Sequence, residues 1–147
     1  MKFISPLKVW ASRARQFILN LNGYRNTHYR TLNSCKINYK EHMKEQILRA
    51  GRYSKVICVY TVYNKSRHRF DLGNVCSIHQ KFFEDAFVEL GRLEDDTVEF
   101  IPLVIYKRGR LDKENPRVEI DVYPFTTEGI MEVHKIIDKI AEEEVID

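Results

Sequence analysis

Residues Lys55–Tyr63 read KVICVYTVY. They are β-branched, aromatic or apolar at nearly every position, with no polar alternation. A strand of this kind needs cover on both faces, so it predicts the central strand of a sheet layered between other elements. The chain beyond Tyr63 must leave that strand, cross the sheet and return. Asn64–Arg69 (NKSRHR) is a basic connection ending at Phe70 and Asp71. Asn74 is a suitable N-cap for a helix from Val75 to about Leu90. Val75, Ile78, Phe82, Ala86 and Leu90 recur on one face of that helix, extended by Phe83 and Phe87. Gly91 ends it, and Glu94–Asp96 form a turn.

The remaining elements are read around this core. Pro6–Trp10 and Phe17–Asn22 read as extended pieces, with a basic loop at Ser12–Arg15 between them. Thr31 or Asn33 caps a helix to about Leu48, with Ile37, Met43, Ile47 and Leu48 beside Tyr29 and Tyr39 as a rough apolar stripe. Thr97–Tyr106 and Arg117–Tyr123 read as two further strands, and the loop between them has hairpin composition. Thr126 or Thr127 caps a closing helix whose Ile130, Val133, Ile136, Ile137 and Ile140 should pack on the sheet. The expected fold is α+β: one domain over residues 1–147, with a small mixed sheet of four to five strands and three helices.

The 147 residues carry 44% hydrophobic and 31% charged side chains, as an ordinary globular domain does. No apolar run approaches the ~20 residues of a membrane span. MKFISPLKVW lacks the apolar core and cleavage site of a signal peptide. Cys35, Cys58 and Cys76 are widely spaced and odd in number, which suits buried thiols in a reducing compartment. Together these features predict a cytoplasmic protein with no membrane partner.

The net charge of +3 conceals an asymmetry. Residues 1–70 hold 15 lysines and arginines against two acids, and residues 71–147 hold nine against 19, so the halves carry +13 and −10. A basic half can neutralise phosphates while an acidic half supplies metal ligands or solvated surface. Gly23–Asn33 interleaves Tyr24, His28 and Tyr29 with Arg25, Asn26 and Arg30. That pattern suits a nucleic-acid backbone with splayed bases, and equally a packed loop whose tyrosines enter the core. Lys36, Lys40 and Lys44 repeat every four residues, along DNA or along solvent.

The candidate chemistry lies in Asp71–Asp96. Lys81 and Asp85 are four apart and share a helix face. Asp71 precedes that helix, and Asp95 and Asp96 follow it. Such oxygen donors suit magnesium, which takes few carboxylates plus water and substrate phosphate. A lysine nearby can stabilise developing phosphate charge. The same residues also make an ordinary surface pair and a polar turn, and spacing alone leaves both readings open. No histidine has metal-ligand spacing, and His68, just ahead of Asp71, could help bind phosphate. Cys76, near the helix start, is better read as packing than as a nucleophile.

This stretch resembles the RusA family of Holliday-junction resolvases. Asp71-Leu72-x-Asn74, Lys81, Asp85-Ala86-Phe87, Gly91 and Asp95-Asp96 match its central signature in order. Pro6–Trp10 and Leu19–Asn26 are similar to the leading segments of a phage branch, and Val118-Glu119-Ile120 is consistent with a later strand. The resemblance implies a homodimeric, magnesium- or manganese-dependent endonuclease that resolves four-way or other branched DNA in recombination and repair, in the host cytoplasm if phage-encoded. It implies catalytic Asp71 and Lys81, metal-binding Asp71, Asp95 and Asp96 assisted by Asp85, and a DNA surface of Arg25, Arg30, Lys65, Arg67 and Arg69. Two positions depart from the family. Gly73 stands where a second aspartate is usual. Ser77 stands where the lysine is usual, with Lys81 one helical turn later, ~6 Å along the axis. The competing expectations are a junction-binding or regulatory protein of the same fold with weakened or lost catalysis, and a protein–protein module using the acidic helix.

Overall fold

A computed structural model describes residues 1–146 and the side chains of residues 1–143. The chain runs β1 (Lys2–Ser5), β2 (Lys8–Trp10), β3 (Gln16–Ile18), α1 (Leu21–Arg25), α2 (Tyr29–Leu48), β4 (Val56–Tyr63), α3 (Leu72–Glu89), β5 (Leu103–Arg108), β6 (Arg117–Pro124) and α4 (Thr127–Ile146). This is an α+β fold with a four-stranded mixed sheet in the order β1-β6-β4-β5 and a separate β2-β3 pair.

β4 is an inner strand, as its composition requires, with seven of its eight residues buried. It pairs antiparallel with β6 and parallel with β5. A parallel pair cannot be closed by a tight turn, so the chain crosses the sheet through α3 between them. Val56, Cys58, Tyr60 and Val62 join the main core with β6 residues Val118, Ile120 and Val122. α3 covers this face with Cys76, Ile78, Phe82, Phe83 and Phe87, and α2 adds Cys35, Tyr39, Met43 and Ile47. The alternate residues Ile57 and Val59 face the other side, where Val133 of α4 covers them beside Ile105 and Tyr123.

Several boundaries differ from those expected from sequence. Lys2–Ser5 is an unanticipated edge strand on β6, alternating Lys2 and Ile4 outward with Phe3 and Ser5 inward. Four residues are too short a period to stand out before Pro6. The extended segment Phe17–Asn22 ends early because Asn20 Oδ1 accepts from Gly23 N at 2.7 Å and starts the short α1, a fourth helix. α2 begins after His28, whose Nδ1 accepts from Arg30 N, ahead of Thr31 or Asn33. Ile37 and Leu48 are exposed, and the α2 stripe is Cys35, Tyr39, Met43 and Ile47. Thr97–Ile101 is a helical turn, with Phe100 N and Ile101 N both donating to Thr97 O at 2.9 Å; the strand begins only after Pro102. The N-cap of α3 is Asp71, whose carboxylate accepts from Gly73 N and Asn74 N. On α4 only Val133 of the expected apolar face is buried; Ile136 is half-covered, and Ile130, Ile137 and Ile140 are exposed. The side chains of Glu144 and Asp147, part of the acidic half of the sequence, lie outside the described residues.

A buried polar chain ties β1 to the core helices. Tyr39 Oη and His79 Nδ1 each lie 2.7 Å from Ser5 Oγ. His79 is fully buried and its Nε2 has no hydrogen-bond partner among the described residues. Burial pushes its pKa down to about 3, so it stays neutral in the fold. Because the unfolded chain takes up this proton first, the stability held above the ordinary histidine pKa falls as pH drops. By pH 4 this one group should cost about 3 kcal/mol. Urea unfolding at pH 7 and pH 4 checks this: His79→Leu should lose markedly less stability than wild type over that interval.

Candidate functional site

The site is built around the middle of α3 and what packs against it. Asn74 Oδ1 accepts from Leu21 N at 3.0 Å, which pins the start of α1 to α3. Tyr24 of α1 is thereby laid against the helix one and two turns further on. The Lys81 ammonium lies 5.4 Å from the Tyr24 ring centroid, a cation–π contact. At its far end α3 stops in a Schellman turn: Arg92 N donates to Phe87 O, Gly91 N donates to Val88 O, and Gly91 takes φ +77°. Buried Leu93 anchors the returning chain, and Asp96 comes back beside the helix.

These elements enclose an open pocket of about 450 Å³ lined by Leu21, Tyr24, Ser77, Ile78, Gln80, Lys81, Glu84 and Asp96. Glu84 is almost fully buried at its wall. Tyr60 Oη donates to Glu84 Oε2 at 2.8 Å, and Gln80 Nε2 approaches Oε1 at 3.4 Å. Tyr106 Oη in turn donates to Gln80 Oε1, so the sheet holds this carboxyl through two tyrosines. Burial raises the Glu84 pKa to about 7, opposed by the Tyr60 and Gln80 hydrogen bonds and reinforced by the charges of Asp96 and Asp85. The Asp85 pKa is also raised, first by burial, while Lys36 opposes the shift and Asp96 adds to it through charge and a side-chain hydrogen bond. Ser77 Oγ, on the same wall, is buried with no hydrogen-bond partner among the described residues.

The aspartates expected to act together are separated. Asp85 and Asp96 are neighbours across the helix–loop junction. Asp95 is exposed in the turn, where its Oδ1 accepts from Asp96 N. Asp71 sits at the opposite end of the uninterrupted α3, about 21 Å along the axis from Asp85 and about 15 Å from Lys81. Asp85 therefore cannot replace the ligand absent at Gly73 in a site that includes Asp71. Among the described residues no three histidine, cysteine, aspartate or glutamate side chains are grouped to hold a metal ion. Asp85 and Asp96, which are in contact, would offer a hard cation two carboxylates, and magnesium or manganese commonly takes one or two with the rest from water and phosphate; Asp85 is also paired with Lys36 at 3.7 Å.

The expected polyanion surface divides in two. Arg67 and Arg69 line a larger crevice beside β4 and β5, with Lys65 exposed on the same loop. Arg25 and Arg30 are exposed near α1 and the start of α2. Arg30 Nε donates to Tyr29 Oη and its guanidinium lies 5.9 Å from that ring, so this tyrosine is a surface group while Tyr24 packs inward. Two members of the α2 lysine row are ion-paired to α3: Lys36 with Asp85 at 3.7 Å and Lys40 with Glu89 at 2.8 Å. Sequence reasoning missed Glu84, Gln80 and Tyr24 as parts of the site. The spacing Ser77–Gln80–Glu84, polar residues at helical intervals beside a buried stripe, is the signal that marked this wall.

No family model matches the chain, and no curated protein matches it. Among the described residues no helix is long and apolar enough to cross a membrane.

The raised Glu84 pKa has a definite sign in stability. The folded chain holds this proton to higher pH than the unfolded chain does, so stability falls as pH rises from about 4.5 through 7. Glu84→Gln keeps an acceptor for Tyr60 and removes the charge. It should therefore stabilise the protein at pH 8 by up to about 3 kcal/mol, with little gain at pH 4, as read by urea unfolding at both values.

Proposed function

We propose that the chain is a RusA-like endonuclease that hydrolyses phosphodiester bonds in branched DNA with magnesium or manganese. The observation that carries the reading is the convergence of Lys81, Asp96 and Glu84 at one pocket, with Asp85 in contact with Asp96 from the adjoining α2 side, in a chain whose loops carry surplus arginine. Asp96 and Asp85 would hold a divalent cation, which would supply charge neutralisation at a phosphate when bound. Lys81, held by Tyr24, directs a positive charge at the same phosphate and stabilises the charge that develops there. Glu84, poised near neutrality by burial, can exchange a proton with a hydrolytic water. The ordered Tyr106–Gln80–Glu84–Tyr60 chain keeps that carboxyl from rotating away.

Asp71 has a different place in this reading. Its carboxylate caps the first turn of α3, while the proposed reaction centre lies about three to four turns on. A synthetic four-way junction with magnesium tests the assignment. Wild type should nick it, and Asp96→Asn or Lys81→Ala should lower the rate at least about 100-fold. Asp71→Asn keeps a capping oxygen and should stay within a few-fold of wild type. Full loss in Asp71→Asn with full activity in Asp96→Asn would move the centre to the other end of α3.

A second reading, junction binding without cleavage, is favoured by one observation: the four expected aspartates do not form one cluster. It predicts salt-sensitive junction binding and no cutting with any divalent ion.

The proposed enzyme acts as a homodimer. Ile130, Met131, Ile137 and Ile140 of α4 are all exposed, an apolar surface that a second copy would cover. Ile137→Lys should convert a dimer to a monomer in light-scattering mass measurements while leaving the circular dichroism spectrum unchanged.

A further inference from the structure

The carboxyl ends of the parallel strands β4 and β5 open into a crevice of about 920 Å³, beside the first turn of α3 and away from the Lys81 pocket. Its walls are the loop Asn64–Phe70 and the start of the β5–β6 connection. Arg67, His68, Arg69, Arg108 and Arg110 line it, and Phe70, Leu72 and Leu111 form apolar ground between them. The crevice at the carboxyl ends of parallel strands is where open sheets with crossover helices hold ligands.

This crevice is built rather than incidental. Asp112 N donates to Asn64 O and Gly109 N donates to Val62 O, both at 2.8 Å, which stitches the two walls together. Gly109 lies flat on Tyr63; a Cβ there would meet the ring at 2.8 Å. Arg117 and Arg110 lie 4.2 and 5.4 Å from the centroid of that same ring, so Tyr63 is a fixed post under the rim. The nearby acids are already engaged: Asp112 accepts from Arg117 at 2.8 Å and lies 4.0 Å from Arg110, which leaves that guanidinium loosely paired at the rim, and Asp71 caps α3. Lys65, Arg67 and Arg69 make no ion pair among the described residues.

We infer that this crevice binds an unpaired, single-stranded segment of DNA, with phosphates on Arg67, Arg69 and Arg110 and an unstacked base over Phe70, Leu72 and Leu111. A duplex presents a convex rail of phosphates and has no use for a recessed apolar floor. A single strand has both a backbone for the arginines and base faces for the floor. The crevice also falls within the ~300–1,000 Å³ in which proteins enclose small organic groups. The inference rests on the polyanion-binding part of the proposed function and names the feature of a branch that is recognised: exposed nucleotides at the junction. It needs no cleavage.

Fluorescence anisotropy in EDTA tests it, with a labelled oligothymidine of about 16 nucleotides and a blunt duplex of equal length. At moderate salt the single strand should bind at least about tenfold tighter than the duplex. Arg67→Ala/Arg69→Ala should weaken single-strand binding about tenfold and flatten its salt dependence by about 1.4 in log–log slope, as loss of two phosphate contacts requires. Leu111→Asp, a change at an exposed position, should weaken the single strand and leave the duplex unchanged. Equal affinity for both DNAs, or equal losses for both in every variant, overturns the inference and leaves only a general phosphate surface. Because the assay contains no divalent ion, single-strand binding that survives a failed cleavage assay would sink the nuclease reading alone.

Discussion

The burial of β4 on both faces governs the molecule. A strand with Cys58, Tyr60 and Val62 on one side and Ile57 and Val59 on the other cannot sit at an edge or face water. It therefore takes β6 and β5 as neighbours and helices above and below. Its parallel pairing with β5 forces the intervening chain across the sheet, and that chain is α3. Every functional feature follows from where α3 then lies. Its first turn meets the carboxyl ends of the parallel strands, where the basic crevice opens. Its middle turns meet α1 and the returning loop, where Lys81 and the acids collect.

α3 also carries two groups whose burial ties the stability of the fold to pH. His79 is buried against Ser5 and must remain neutral, so acid works against it. Glu84 is buried against Tyr60 and holds its proton to near neutrality, so base works against it. His79 has no role at the pocket and belongs to the core linking β1 to α2. Glu84 faces the pocket, and its cost is of the kind that persists at sites where a carboxyl near neutrality is useful.

The charge asymmetry between the two halves of the chain is partly neutralised inside the fold. Lys36 and Lys40 pair with Asp85 and Glu89, and Lys2 pairs with Glu119 at 2.7 Å. These contacts draw basic first-half residues onto acidic second-half elements and help to dock α2 and β1. The exposed basic side chains outside these pairs include those of the loop between β4 and α3 and those of Arg25 and Arg30. The lysine row of α2, which in sequence reads equally along solvent or along DNA, gives two of its members, Lys36 and Lys40, to holding two helices together.

β4, α3, β6, the start of α4 and the α+β class are legible from the residues alone, because their apolar patterns are long enough to show a period. Lys81, Asp85, Asp95 and Asp96 stand out in the same way, by spacing along and just past one helix. β1 does not, being four residues long. Nor do the caps at Asn20, His28 and Asp71, because several polar residues near each helix start can serve equally. Which acids meet depends on packing between residues distant in sequence or on different turns. Asp96 returns to α3 because Leu93 is buried, and Tyr24 reaches Lys81 because Asn74 holds α1. The same packing kept Asp71 apart, since a continuous helix is a rigid spacer of about 1.5 Å per residue. Proximity along the chain therefore grouped four aspartates that the helix divides between its two ends.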